Sequence, residues 1–103
     1  MKRTKRRYLA VQVECEGIPS ERDLMDAIWG SLTRLYGEAG ASLANLALIS
    51  FDVERKLAVI RVGLVVLPQF RASLAAVTSI AGVPAALHVL SVSGTIKALF
   101  AGI

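Results

Sequence analysis

Ser93, Gly94, Thr95 and Lys97 stand together near the C-terminal end of the sequence, between an uncharged, β-branched run (Leu87 to Val92) and Ile96. Serine and threonine just before an apolar residue cap helices, and the free N–H groups of a helix start attract anions. With a lysine in the first turn, Ser93 to Lys97 reads as a corner able to contact phosphate, or equally as a capped turn with a solvated lysine. A second ionic group lies at the other end, where Lys2, Arg3, Lys5, Arg6 and Arg7 occur without an acid. Groups suited to covalent chemistry are scarce. His88 is the single histidine and lies in an apolar run, where a packed or edge-facing ring is the expected role. Glu14 and Glu16 share a strand face without a third ligand, a poor metal site. Cys15, the only cysteine, excludes an internal disulfide and any multi-cysteine zinc site, and reads as core filler. No P-loop, dinucleotide glycine fingerprint or nucleophile motif is present. The expectation is a chain with no catalytic residue, no metal ligand and no cofactor of its own.

Charge follows the sequence in three blocks. Residues 1–8 carry +5; from Leu9 to Glu54 eight acids against Arg22 and Arg34 give −6; from Arg55 onward Arg55, Lys56, Arg61, Arg71 and Lys97 give +5 with no acid, for a net charge of +4. A basic arm and a basic second half suit a polyanion, and the acidic middle suits a basic protein neighbour or a solvated helix face. The stretch from Ala72 to Ile96 is uncharged and long enough to span a membrane, but Gly82 and Pro84 break it, so a helix followed by a strand accounts for it better. The N-terminal region has basic residues but no apolar segment of signal length. The expected location is the cytoplasm, without membrane contact.

The elements that must position these groups follow from periodicity. Tyr8 to Cys15 alternates, with Leu9, Val11, Val13 and Cys15 on one side, and predicts a half-buried strand. Ser20 with Asp23 resembles a capping box, opening a helix whose face is Leu24, Ala27, Ile28, Ser31, Leu32, Leu35 and Tyr36 and whose stop is Gly37. Glu38 to Ser42 reads as a loop. Leu46 to Phe51 and Leu57 to Leu64 predict a hairpin around Asp52 to Lys56. Pro68 opens a second helix through Phe70, Leu74, Val77 and Ala81, with Gly82 as its stop. A strand over Leu87 to Val92 and a short helix from Ile96 complete the chain.

This order is the βαββαβ pattern of ferredoxin-like and RRM-like sandwiches: an α+β fold with a four-stranded antiparallel sheet, two helices on one face and a short C-terminal helix. The expected organisation is an arm over residues 1–7 and one domain over 8–103. With 54% hydrophobic but only 6% aromatic residues, the core is aliphatic and the open sheet face poor in stacking rings. Tyr8 alone could stack there, beside Ala10, Gln12, Glu14, Val59, Arg61 and Gly63, which suits packing against protein or the C-terminal helix more than reading of RNA bases. Met25 and Trp29, four apart beside the first helix's core face, either widen that face or meet a partner. Together with Leu57, Val59 and Arg61 they form the expected protein interface.

Three separated blocks are similar to a known family: Arg7 to Ala10, Ala27 to Glu38 (AIWGSLTRLYGE) and Ser91 to Leu99 (SVSGTIKAL), with Thr78-Ser79-Ile80 and Gly82 between the last two. They resemble the small RRM-like protein subunit of archaeal and eukaryotic ribonuclease P, the Pop-five family. The resemblance implies a ribonucleoprotein that removes the 5′ leader of precursor tRNA, its chemistry performed by a catalytic RNA with Mg2+. It also implies a TIM-barrel-like protein subunit as partner and self-association as a homodimer or heterotetramer. Lys2, Arg3, Lys5, Arg6, Arg7, Ser93, Gly94, Thr95 and Lys97 are the expected RNA contacts. One departure is that family members often carry a longer basic C-terminal helix, whereas this sequence ends at Ile103 after Phe100-Ala-Gly. The alternative from another class is an ACT-like module that binds a small metabolite and oligomerises through its sheet; it leaves the basic arm without a role.

Overall fold

The computed structural model describes residues 5–42 and 44–101. The first strand, β1 (Arg6–Cys15), buries Leu9, Val11 and Val13 on one face, as its alternation requires. Ser20 then caps α1 (Glu21–Ser42), its Oγ accepting the Asp23 N–H at 3.0 Å. Leu24, Ile28, Ser31 and Leu32 face the core as expected, but Leu35 and Tyr36 are 49% and 41% exposed. The reason lies at Gly37, whose φ of 77° interrupts the helical backbone. A further helical segment continues to Ser42 in place of the expected loop, and after the break Ala41 and Ala44 take the core positions.

The hairpin β2 (Ala47–Asp52) and β3 (Leu57–Gly63) matches its expected loop. Asp52 Oδ1 accepts the N–H groups of Glu54 and Arg55 at 3.1 and 3.2 Å, the local turn that aspartate supplies. A short 3-10 turn (Leu64–Val66) leads into α2 (Leu67–Ala75), with Pro68 in its first turn. α2 locks to α1 where the buried Ser31 Oγ donates to the Ser73 carbonyl at 2.7 Å.

The second helix ends earlier than its apolar spacing predicts. Ala81 and Gly82 both have positive φ, 52° and 81°, and form the two-residue turn of a tight hairpin between β4 (Ser79–Ile80) and β5 (Val83–Ser93). Gly82 is thus a hairpin glycine and not a helix stop. The sheet accordingly has five strands, not four, in the order β2-β3-β1-β5-β4, every pair antiparallel. The first and third strands are adjacent in its interior, as expected. Leu9, Val11, Val13, Ala58, Ile60, Val62 and Leu87 form the core face against Leu24, Ile28, Leu32, Phe70 and Leu74 of the two main helices.

The opposite face has its own smaller cluster. α3 (Ile96–Ala101) lays Leu99, fully buried, onto Ala10, Leu57 and Val59, with Tyr8 partly buried beside them. α3 therefore seals this face over Ala10, Leu57 and Val59, and Arg61, further along β3, lies outside that buried cluster.

Candidate nucleic-acid interface

The antiparallel register brings the two basic blocks of the sequence together. Arg6, Arg7 and Tyr8 of β1 lie opposite Gly63, Val62 and Arg61 of β3, and Tyr8 also lies opposite Ser93 of β5. Residues far apart in sequence thus share one end of the sheet. Its strands, the residue preceding β1 and the start of α3 present Arg6, Arg7, Arg61, Lys5 and Lys97 without an acid; Glu38 belongs to the helical layer.

At this end Arg7 reaches the Ser93 to Lys97 corner. Its Nη1 donates to the Arg6 carbonyl at 2.9 Å, and a Cβ built on Gly94 would stand 3.6 Å from the same nitrogen. Thr95 is the cap of α3: the Ala98 N–H donates to Thr95 Oγ1 at 3.2 Å. Ser93 Oγ makes the weaker local contact, accepting the Thr95 N–H at 3.4 Å. Lys97 is exposed on the first turn. The corner and part of the arm, Lys5, Arg6 and Arg7, form one cationic rim; Lys2 and Arg3 lie outside the described residues.

The opposite end has the reverse character. Glu14, Glu16, Glu21, Asp23, Asp26, Asp52 and Glu54 gather where β1 ends, α1 begins and the β2–β3 hairpin turns. Here polar groups meet within the chain: Arg22 pairs with Asp26 at 3.8 Å and Arg55 with Asp52 at 3.9 Å, and His88 Nε2 is hydrogen-bonded to Glu14 Oε2 at 2.7 Å. His88 is therefore exposed on β5 and hydrogen-bonded to Glu14. The Lys56 ammonium donates to the Cys15 carbonyl, and Cys15 itself is half-buried against the core.

The expected protein interface separates into three parts. Met25 and Trp29 pack against the main core and widen its stripe, and each is only half-buried. Leu57 and Val59 are 8% and 1% exposed; they are covered by Leu99 of this same chain and are not open surface, a correction that follows from the docking of α3. Arg61 stands beyond the Leu99 cluster on the same face, half-buried, with its Nε–H buried and unpaired among the described residues. Sequence reasoning set Arg61 apart from the basic arm because it read this sheet face, poor in stacking rings, as one for packing against protein. No helix among the described residues is long and apolar enough to cross a membrane.

A two-helix, five-stranded α+β scaffold whose basic groups converge on one sheet end defines a small protein of the polyanion-facing kind. The chain belongs to the Rpp14/Pop5 family of ribonuclease P protein subunits: the family model matches residues 7–102. It is 38% identical to ribonuclease P protein component 2 of Methanosarcina mazei over 95 residues, covering 92% of this chain and 80% of that protein. The Pyrococcus furiosus protein of the same name is 37% identical over 97 residues, with 94% and 81% covered. Among solved structures, a chain of the yeast ribonuclease MRP structure determined by cryo-EM superposes with a TM-score of 0.74 at 18% identity. The superposition covers 92% of this chain and 78% of that one, and shows the shared fold.

Proposed function

We propose that this subunit supports the catalytic RNA of ribonuclease P in removing the 5′ leader of precursor tRNA, holding the RNA at the cationic end of its sheet. The observation that carries this reading is the convergence of Lys5, Arg6, Arg7, Arg61 and Lys97 at one end with no acid on the strands there, within a chain of the Rpp14/Pop5 family. Phosphate neutralisation by such a cluster is sequence-independent and positions an RNA without reading its bases. Lys2 and Arg3 would extend the rim, and the backbone corner Ser93, Gly94 and Thr95 would border it. The chemistry belongs to the RNA and its Mg2+, with no catalytic side chain or cofactor contributed by this chain.

The scaffold is read as a ferredoxin-like βαββαβ sandwich extended by the edge strand β4, one domain following a basic arm over residues 1–7, working in the cytoplasm. A TIM-barrel-like subunit and a second copy of the chain are the proposed protein partners, with the acidic end offering complementary charge to a basic neighbour. Family membership displaces the alternative of a metabolite-binding ACT-like module. Reconstitution tests the proposal: precursor tRNA cleavage at moderate Mg2+ is expected to fall when this chain is omitted and to recover when it is restored. Equal cleavage rates with and without it would contradict the proposal.

A further inference from the structure

Beyond the Leu99 cluster, the same sheet face holds one charged side chain that the described residues leave unsatisfied. Arg61 lies on β3 between Tyr8 of β1 and Ala47 of β2, on the same face as the Leu99 cluster. Its Nε–H is buried and has no acceptor among the described residues, and Arg61 takes part in none of their ion pairs. Everything else on β3 is apolar or glycine, and an unpaired buried donor disfavours the folded state. An apolar side chain would fit the strand without that cost. Arg61 as a whole is half-buried, and its Nη groups, which are not buried and make no hydrogen bond or ion pair among the described residues, are the part that can meet an acceptor from outside the chain.

The surroundings decide what that acceptor is. Tyr8 stands directly opposite Arg61, and Ser93 flanks Tyr8 on its other side, so a phenol ring separates a guanidinium from a hydroxyl along one row. The row is bounded on the hairpin side by α3, whose Leu99 closes the face over Ala10, Leu57 and Val59. Arg61 and Ser93 are two strands apart, roughly 10 Å, which leaves room for about one nucleotide. Arg7 and Lys97 lie along the same rim and would donate to neighbouring phosphates of a continuous backbone. An isolated carboxylate from a protein could pair with Arg61, but it would make no use of the ring beside it or of the further cations.

We infer that Arg61 and Tyr8 form a one-nucleotide contact, in which the guanidinium takes a phosphate of an unpaired RNA segment and the phenol ring stacks on the adjoining base. This rests on the RNA-supporting function proposed above and moves Arg61 from the protein interface to the RNA interface. The planar fork of arginine suits a phosphate bidentately, and aromatic stacking accepts any base.

The test uses the full-length chain and an in vitro transcript of ribonuclease P RNA, with affinity measured across a salt titration. Thermal unfolding checks that each variant folds. Arg61→Gln is expected to weaken binding five- to tenfold and to reduce the slope of log affinity against log salt by about 0.7 to 0.9, one phosphate contact. Arg61→Lys should keep the slope and still bind several-fold more weakly, because the fork is lost. Tyr8→Leu should lower affinity about fivefold or more with the slope unchanged. The inference is overturned if Arg61→Gln leaves the slope unaltered while a double Arg6→Gln, Arg7→Gln variant reduces it, a result that spares the broader RNA reading. If the double variant is also without effect, that broader reading fails as well. Loss of protein association by Arg61→Gln with an intact RNA slope would assign the guanidinium to a partner's carboxylate and overturn the inference. Should Arg61→Gln not fold, wild-type affinity in both Arg61→Lys and Tyr8→Leu overturns it.

Discussion

The two ends of the sheet carry opposite charge, but they differ more deeply in how that charge is matched. Where β1 ends, Asp26 and Asp52 each face a cation of the same chain, Glu14 is hydrogen-bonded to His88, and Lys56 is held by a main-chain carbonyl. Where β1 begins, Arg7 makes a local contact with the Arg6 carbonyl and Arg61 keeps a buried N–H unpaired among the described residues. Exposed ion pairs such as those of the acidic end contribute only about 0–1 kcal/mol each, so their value to the fold is small. What they do is reduce the field available to an outside ligand. The basic end retains its field, as a surface that must attract a polyanion requires.

Both ends hang on the same core, so the comparison collapses most completely when that core is opened. Phe70→Ala, at a fully buried position of α2, should lower the free energy of unfolding by about 3–5 kcal/mol. Urea denaturation would check it, and RNA binding should decline only in step with the folded fraction. Leu99→Ala attacks the smaller cluster on the other face and should cost about 2–3 kcal/mol, undocking α3 while the helix-covered face stays intact. Hydrogen exchange would locate the loss: faster exchange confined to α3 sharpens the separation of the two faces, and a global increase breaks it.

Smaller effects distinguish the ends themselves. Thr95→Ala removes the α3 cap and should cost about 1 kcal/mol in the same denaturation assay, with Ser93→Ala costing less. Asp52→Asn keeps an oxygen for the hairpin turn and loses only an exposed ion pair, so a change of at most about 0.5 kcal/mol is expected. Its RNA salt dependence should match the wild type. Lys97→Ala should leave stability unchanged or slightly raised, since a cation in the first turn of a helix opposes the dipole, yet reduce the RNA salt slope by about one counterion. A Lys97 variant with the wild-type slope would remove that residue from the interface.

Much of this architecture was legible in the sequence because its signals are local. Alternation in Tyr8 to Cys15, the Ser20 cap and the Asp52 turn each fix an element within a few residues. Gly82 misled because glycine ends helices and also makes two-residue hairpins; only the pairing of Ser79 with Pro84 and Ile80 with Val83 tells them apart. Leu57 and Val59 looked free because their strand face has no covering element nearby in sequence. Leu99, about forty residues on, supplies it. The candidate site was half legible: the +5 blocks at either side of the acidic middle were plain, but their union depends on β1 pairing with both β3 and β5. Arg61 was read as a protein contact because its sheet face offers a single stacking ring, Tyr8.

The central claim is that RNA meets the chain at the end of the sheet where β1 begins. Ultraviolet crosslinking of the reconstituted ribonucleoprotein, followed by mass spectrometry of the crosslinked peptides, tests it most directly. Crosslinks are predicted on the segments that hold Lys5 to Tyr8, Arg61 and Ser93 to Lys97, with none on Glu21 to Asp26 or Asp52 to Lys56. Crosslinks concentrated at the start of α1 and the β2–β3 hairpin, with the Tyr8 and Arg61 segments bare, would contradict it.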